Sequence, residues 1–325
     1  MPQQMHPRDV THDRSADGAG VVVIGDALID ELRGGGETRE FVGGAALNVA
    51  VGLSILGVRT TLVAMVGDDA DGARIREFLD DHGVALLASP APLGSSRAVS
   101  DRRAGEPVYE FNAAAQARHI DFDEPSIHRA IATADYVVIS CFPFDDQQQV
   151  EALSTAIAGR ERSLILDPNP RLGMMHDRAR FARSFEALAG MALVTKVGDE
   201  DATVLGYASL RELAQRVIEL GSQFVVTTAG AAGAWVGSRH GLDVSVPIRT
   251  LEDPIVDTMG AGDATLATIA ASIAQAGVPQ NSERWALTLD DAMLVAAATC
   301  RAEGALLRMP EHFTPARIDA PHPQP

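Results

Sequence analysis

Short β-branched runs alternate with helical stretches along most of this chain, and that alternation restricts the fold more than any single residue does. Runs at 21–24, 60–66, 136–140, 163–166, 193–195 and 224–227 read as strands, and 45–56 and 72–81 as helices. Such alternation predicts a doubly wound α/β fold, a mostly parallel sheet with helices on both faces. Gly57 and Gly83, each closing a helical stretch before a strand, are expected C-caps. Two segments break the rhythm: 32–42, with three consecutive glycines, and 97–111, with an Ala104-Gly105 turn between alternating Val and Tyr/Phe positions. They read as hairpin strands, outside the crossover pattern.

A chain of 325 residues with 46% apolar content can bury one large α/β core or two smaller ones. Residues 1–20 are polar and aperiodic, as expected of a flexible leader, and 310–325 end Pro-His-Pro-Gln-Pro, as expected of a flexible tail. That puts the folded domain at 21–309. With 27 basic and 44 acidic residues the net charge is −17, which repels nucleic acid and anionic membrane and argues against both as partners. The N-terminal stretch has no apolar export core, and the longest weakly polar run, 45–58, is too short to span a bilayer and contains Asn48 and Ser54. Cys141 and Cys300 lie in apolar strand-like and helix-like contexts, so free thiols in the reducing cytoplasm are expected.

The densest chemistry lies in Asp257-Thr258-Met259-Gly260-Ala261-Gly262-Asp263-Ala264, followed by an apolar run at 265–276. Gly260, Ala261 and Gly262 carry little or no side chain, so three successive N–H groups can close on an anion where a helix dipole is most positive. Asp263 falls in the first turn, where a carboxylate can take a proton from a substrate hydroxyl while the amides stabilise a transferring phosphoryl group. A capped helix after a loop is the plainer reading, and spacing alone leaves both open. Elsewhere the first strand runs into Gly25-Asp26-Ala27-Leu28-Ile29-Asp30, and open α/β sheets bind ligands beyond strand C-termini, so Asp26 and Asp30 are candidates for holding hydroxyls. Gly43 and Gly44 open a helix with Asn48 one turn inside, and an Asn amide can both donate to and accept from a polyol.

Asp257 to Ala264 resembles the C-terminal motif D-T-x-G-A-G-D of the ribokinase-like (PfkB-type) carbohydrate kinases. Gly43-Gly44-Ala45-Ala46-Leu47-Asn48, continuing to Val66-Gly67-Asp68-Asp69-Ala70-Asp71-Gly72, resembles the family's N-terminal motif. The resemblance covers about 20–310. It implies a ribokinase-like fold with a small β lid from about 32–42 and 97–112, a sugar substrate, and ATP and Mg²⁺ as cofactors, with a monovalent cation as a further candidate. A homodimer, where one forms, is expected through the lid. By the same resemblance Asp263 is the base and Gly260, Ala261 and Gly262 are the anion hole, while Asp30, Asp26, Gly43, Gly44 and Asn48 hold sugar hydroxyls. Asp26 stands where the fructokinase-like branch usually has Glu. Asp167-Pro168-Asn169-Pro170-Arg171 resembles that branch's D-P-N-x-R, which brings Arg171 toward the substrate.

On the nucleotide side, Thr228, Gly230 and Gly233 match the family's T-x-G-x-x-G, and Lys196, Thr258, Gly260 and Gly262 are expected at ATP. A helix at 285–301 would close the adenine slot, with Cys300 near it. Lys196-Val197-Gly198-Asp199-Glu200-Asp201 stands where the family has K-x-N-x-x-E, which organises water around magnesium. Gly198 replaces the Asn, and Asp201 keeps the charge of the Glu with one methylene less reach, so Asp201 is expected to act on the metal through water.

Competing classes lose support residue by residue. Lys196 is the only lysine and lies outside G-x-x-x-x-G-K-[ST], which excludes a P-loop NTPase; a protein kinase would need a strand lysine and an H-R-D loop. Gly-Asp-Ala-Leu-Ile-Asp replaces the G-x-G-x-x-G of a dinucleotide fold, and neither H-E-x-x-H nor G-x-S-x-G occurs. Acid-specific kinases of the group tend to carry an aromatic-x-Arg on the lid, and Tyr109-Glu110-Phe111-Asn112-Ala113 has no Arg. The expectation is ATP-dependent phosphorylation of a small neutral sugar, a fructose-like hexose or a pentose. The alternatives are a nucleoside kinase of the same fold, or a non-catalytic sugar-binding sensor suggested by the altered 196–201 segment.

Overall fold

The computed structural model describes residues 20–34, 37–101, 108–311 and 313. Gly35, Gly36, the Ala104-Gly105 turn, residues 1–19 of the expected leader, and residues 312 and 314–325 of the expected tail lie outside the described residues.

The described residues form two sheets. In the larger, β1 (Val21–Gly25), β4 (Thr60–Met65), β5 (Ala85–Ser89), β8 (Tyr136–Ser140), β9 (Leu164–Asp167), β10 (Val194–Gly198) and β11 (Phe224–Thr228) run parallel. β12 (Ala234–Gly237) and β13 (Asp243–Val246) extend one edge antiparallel, giving nine strands in the order β13-β12-β11-β10-β9-β8-β1-β4-β5. The smaller sheet orders β3 (Glu37–Gly43), β2 (Leu28–Gly34), β6 (Ser96–Asp101) and β7 (Val108–Phe111).

Side-chain alternation splits the core into two halves. Val21 and Val23 of β1 join the apolar cluster on one face, and Val22 and Ile24 join the cluster on the other. Because both faces are covered, β1, β8 and β9 read as apolar runs up to their last residue, and β10 is interrupted by Thr195 and Lys196. The first face carries α1 (Ala45–Ile55), α2 (Ala70–Asp81), α9 (Ala261–Ala276) and α10 (Ser282–Thr299). The second carries α4 (Pro125–Thr133), α5 (Gln147–Ala156), α6 (Arg178–Ala189), α7 (Asp199–Leu205) and α8 (Leu210–Leu220), and a short α3 (Ala113–Gln116) follows β7.

Local chemistry sets the helix limits. Asp69 caps α2 by accepting from Gly72 N at 2.8 Å, and Asn281 caps α10 by accepting from Arg284 N at 2.9 Å. Leu56 and His82 close α1 and α2, with Gly57 and Gly83 following at φ of 83° and 66°. Those left-handed values are why glycine stands at both ends.

Most element ends shift by a residue or two from the sequence reading, and three differences bear on the site. β2 begins at Leu28, four residues before the expected lid segment, so Asp30 lies inside a strand between Phe41 and Ala98. β10 runs to Gly198, which places Lys196 within the sheet. The expected helix at 285–301 spans Ser282–Thr299, because the cap sits at Asn281. No helix among the described residues is long and apolar enough to cross a membrane.

α1 is buried from Ala45 to Leu53 because it lies between the sheet and α9. The two helices approach closely at Gly52, where a Cβ would stand 2.9 Å from Ala267 Cβ and 3.1 Å from Leu307 Cδ1. Gly52→Val should therefore destabilise the fold by about 1–3 kcal/mol, the usual cost of overpacking. A chemical denaturation midpoint equal to that of the natural protein would show that the helices are not packed this tightly.

Candidate active site

Five strands bring their C-terminal ends to one edge of the large sheet: Gly25 is level with Ser140, Ser140 with Asp167, and Gly198 with Thr228. Ligands bind at this edge in open α/β sheets, and here the chain's acidic and basic side chains converge.

The floor is the start of α9. Gly260 takes φ 77°, and a Cβ there would fall 2.1 Å from the carbonyl oxygen of Ala305, so no other residue fits this turn. Ala261 N donates to Thr258 O at 3.3 Å, and the amides of Gly260, Gly262 and Asp263 have no acceptor among the described residues. The expected run of three amides at 260–262 is thus interrupted at Ala261, resumes at Gly262 and extends to Asp263. Unpartnered N–H groups at the N-terminus of a sixteen-residue helix form a site for an anion.

Asp263 is buried, 8% exposed, and its Oδ2 accepts from Asn48 Nδ2 at 2.9 Å. Burial raises its pKa to about 7, and Asp167 pushes the same way against the hydrogen bond from Asn48 and the charges of Lys196 and Arg171. The carboxyl therefore titrates near neutrality, the range suited to a general base. Lys196 reaches the same place from β10. Its Nζ lies 3.0 Å from Asp167 Oδ2, and a Cβ on Gly262 would stand 3.0 Å from that ammonium. Burial alone would lower the pKa of Lys196, but attraction to Asp167, Asp201 and Asp263 outweighs it and keeps the group charged.

The sugar-side candidates also come together. Asp26 follows Gly25, and its Oδ1 accepts from Ala46 N at 3.0 Å, so one carboxylate oxygen is committed to the start of α1. Burial raises its pKa, against the attraction of Arg118. Asp30 reaches in from β2: a Cβ on Gly43 would lie 2.3 Å from Asp30 Oδ2, so the glycine makes room for the carboxylate. Burial, with repulsion from Asp26 and Asp263, lifts Asp30 to about 7. Gly44 caps α1 at φ 109° and sets Asn48 in the first turn, facing Asp263. Arg171 stands at the rim with its side chain 44% exposed, 3.6 Å from Glu200, and its charge acts on Asp26, Asp30 and Asp263.

The nucleotide-side candidates are more spread. Thr228 ends β11 beside Gly198, and Gly230 at φ 46° has open space around its Cα. Gly233 has a structural reason to be glycine, since a Cβ would meet Val246 O at 2.3 Å. Thr258 is exposed and supplies its carbonyl to the Ala261 turn. Cys300 O accepts from Val256 N at 2.8 Å and Asp257 N at 3.2 Å, which joins the end of α10 to the glycine turn. Trp285, at the other end of α10, packs on Phe224 at the start of β11 and does not reach this edge. Asp201 accepts from Gly198 N at 2.6 Å and so caps α7; burial raises it to about 7, with Asp167 in the same sense.

Sequence reasoning missed Asp167 as a site residue, although a lone buried lysine demands a buried carboxylate and pointed to one. Asp167 is fully buried, and its Oδ1 has no partner among the described residues. It missed Arg118 too, which donates to the carbonyl of Cys141, itself at φ 52° behind Asp26. Nothing local marks Arg118, because only the crossover of the chain brings it there. No group of three or more His, Cys, Asp or Glu among the described residues is placed to hold a metal ion, yet Asp167 Oδ1 and the second oxygen of Asp201 offer hard donors that suit a hydrated Mg²⁺.

The arrangement places a buried carboxyl at unpartnered amides, a cation beneath them, and further carboxylates on the adjoining wall. The profile of the pfkB family carbohydrate kinases matches residues 20–312. The chain is 29% identical over 276 residues to a fructokinase of Rhizobium leguminosarum bv. trifolii, covering 78% of this chain and 79% of that protein. In structure it is similar to a double-mutant fructokinase of Vibrio cholerae O395 in its fructose, ADP and potassium-bound form, with TM-score 0.74, 22% identity, and 89% and 95% of the two chains covered. It is also similar to aminoimidazole riboside kinase from Salmonella enterica, complexed with aminoimidazole riboside and an ATP analogue, with TM-score 0.71, 23% identity, and 88% and 95% covered. The chain belongs to the pfkB family of carbohydrate kinases.

Proposed function

We propose that this carbohydrate kinase transfers the γ-phosphoryl group of ATP to a hydroxyl of a small neutral sugar, a fructose-like hexose or a pentose, with Asp263 as general base. The observation that carries this reading is the pairing of Asp263 with Asn48 at the N-terminus of α9, beside the unpartnered amides of Gly262 and its own backbone. Asn48 holds Oδ2, which leaves Oδ1 to take the proton of the attacking hydroxyl. That hydroxyl oxygen bonds to the γ-phosphorus as the bridging bond to ADP breaks, and the amides with Lys196 stabilise the charge on the equatorial oxygens. Asp167 fixes the lysine from below. Asp201 and the free oxygen of Asp167 would hold, through water, a Mg²⁺ brought by ATP, which when bound neutralises phosphate charge. Thr228, Gly230, Thr258 and the open turn around them receive the rest of the nucleotide.

A neutral substrate follows from the charge of the wall. Asp26, Asp30 and Asp263 face the cleft, while Arg118 is engaged by the carbonyl of Cys141 and Lys196 by Asp167, so an anionic sugar would find Arg171 at the rim as its partner, whereas hydroxyls find acceptors all along the wall. The similarity to fructokinases supports the hexose, and that to a riboside kinase keeps nucleosides in the test panel. Turnover of ATP over ketohexoses, pentoses, sugar phosphates and nucleosides decides among them. If the protein binds a sugar but no sugar or nucleoside stimulates turnover, the reading as an enzyme is wrong and a binding protein remains.

Asp263→Asn should lower kcat by about 10²–10⁴-fold, the usual contribution of a general base, while sugar binding persists. Because Asp263 acts deprotonated and is raised to about 7, kcat/KM should climb as pH rises through neutrality and then level. A residual rate in Asp263→Asn that keeps the same rising limb would assign the titration elsewhere.

Asp30→Ala should raise the sugar KM far more than that of ATP, since removing one acceptor from a hydroxyl-binding site costs on the order of 1–3 kcal/mol. Equal effects on both substrates would remove Asp30 from the sugar wall. Asp201→Ala should shift the Mg²⁺ dependence of turnover to higher concentration without abolishing ATP binding. Superimposable Mg²⁺ curves would leave Asp201 with its capping role alone.

A further inference from the structure

A second groove lies at the opposite end of the sheet. It has a volume of about 870 Å³ and runs past Leu193 and Phe224, where β10 and β11 begin, to the tip of the β12–β13 hairpin and the start of α10. That volume falls within the roughly 300–1,000 Å³ of small-molecule sites. Its charge is opposite to that of the chain. In a protein of net charge −17, the described residues lining this groove include Arg162, Arg239 and His240 and no Asp or Glu. The nearest carboxylate on the hairpin, Asp243, is engaged by Trp235 Nε1 at 2.6 Å, and Glu283 follows Ser282 on the first turn of α10.

Two further features favour an anion. The N-terminus of the eighteen-residue helix α10 opens on the groove, with Asn281 and Ser282 in its wall. Trp285, also part of the wall, is fully buried, and its indole N–H has no hydrogen-bond partner among the described residues. A buried N–H is rarely left without an acceptor, and here every neighbouring charge of the lining is positive or neutral.

We propose that this groove is a second ligand site, distinct from the kinase cleft, that takes a small phosphate-bearing anion between Arg162 and Arg239, with its body over the Trp285 wall. Arginine suits the task because its planar fork pairs with phosphate oxygens in two bonds at once. The groove also abuts the far end of the helix that carries Asp263. α9 spans sixteen residues, about 24 Å at 1.5 Å per residue, and Val278 and Pro279 just beyond it line the groove.

Inorganic pyrophosphate is a suitable probe, and the chain has only two tryptophans. In Trp235→Phe combined with Asp243→Asn, which neutralises the carboxylate that the indole holds, Trp285 is the sole reporter, and pyrophosphate at fixed ionic strength should give a saturable change in its fluorescence. Adding Arg162→Ala and Arg239→Ala, both at exposed positions, should weaken that binding about tenfold or more, as loss of charge-assisted hydrogen bonds does. Gly262→Val, which obstructs the α9 turn in the kinase cleft, should leave it intact, and thermal melts by circular dichroism would verify that each variant is folded. No saturable change in the Trp285-only protein overturns the proposal. So does an unchanged affinity in the folded double-arginine variant, or a loss of the signal in Gly262→Val alone.

Discussion

Burial of Asp263 is the constraint on which the site depends. A carboxylate taken out of water loses several kcal/mol of hydration unless other groups replace it, and the protein replaces it from three directions. Asn48 donates a hydrogen bond from α1, Lys196 contributes positive charge from β10, and the start of α9 adds its dipole from below. The compensation is incomplete by design of the surroundings: Asp167, Asp30 and Asp201 crowd the same volume, and burial leaves Asp263 near neutrality. In the base role proposed for Asp263, a carboxyl that titrates there is ionised enough to accept a proton and basic enough to hold one.

The same bond does structural work of a second kind. Asn48 and Asp263 are 215 residues apart, and their contact joins the first turns of the two helices that pack at Gly52. Helix packing thus fixes the distance between the first turns of α1 and α9, which the transfer proposed above requires. The glycines on either side are part of this geometry: Gly43 yields space to Asp30, and Gly260 lets the chain pass under Ala305. Each is explained by a clash with a named atom.

Fold class was legible because both faces of the sheet are covered, which turns strands into apolar runs that stand out between helices. Asp263, Asn48 and the glycines were legible because their chemistry is local to a turn. What sequence could not show is contact across the fold. It did not place Asp30 within β2, since a polar residue between Ile29 and Glu31 breaks the apolar run even though the strand continues in the small sheet. It did not pair Lys196 with Asp167, which meet only because β9 and β10 are neighbours. It assigned the helix at 285–301 to the adenine slot as one unit, whereas an eighteen-residue helix reaches both ends of the sheet and its Trp285 end lies away from that edge.

The Gly198 substitution is best understood through what its missing side chain leaves behind. A Cβ there would lie 3.6 Å from both Asp201 Oδ2 and Thr228 Oγ1, an ordinary contact distance, so the fold would accept a larger residue and glycine is not forced by packing. In its absence Asp201 turns to the backbone and accepts from Gly198 N. An Asp at the third position of α7 has the reach to close on the amide of Gly198 and so caps its own helix. The carboxylate stays buried beside Lys196 and Asp167, so the segment retains its acidic group while losing only an amide. Variation here leaves the Asp263–Asn48 pair, the Lys196–Asp167 pair and the α9 turn in place.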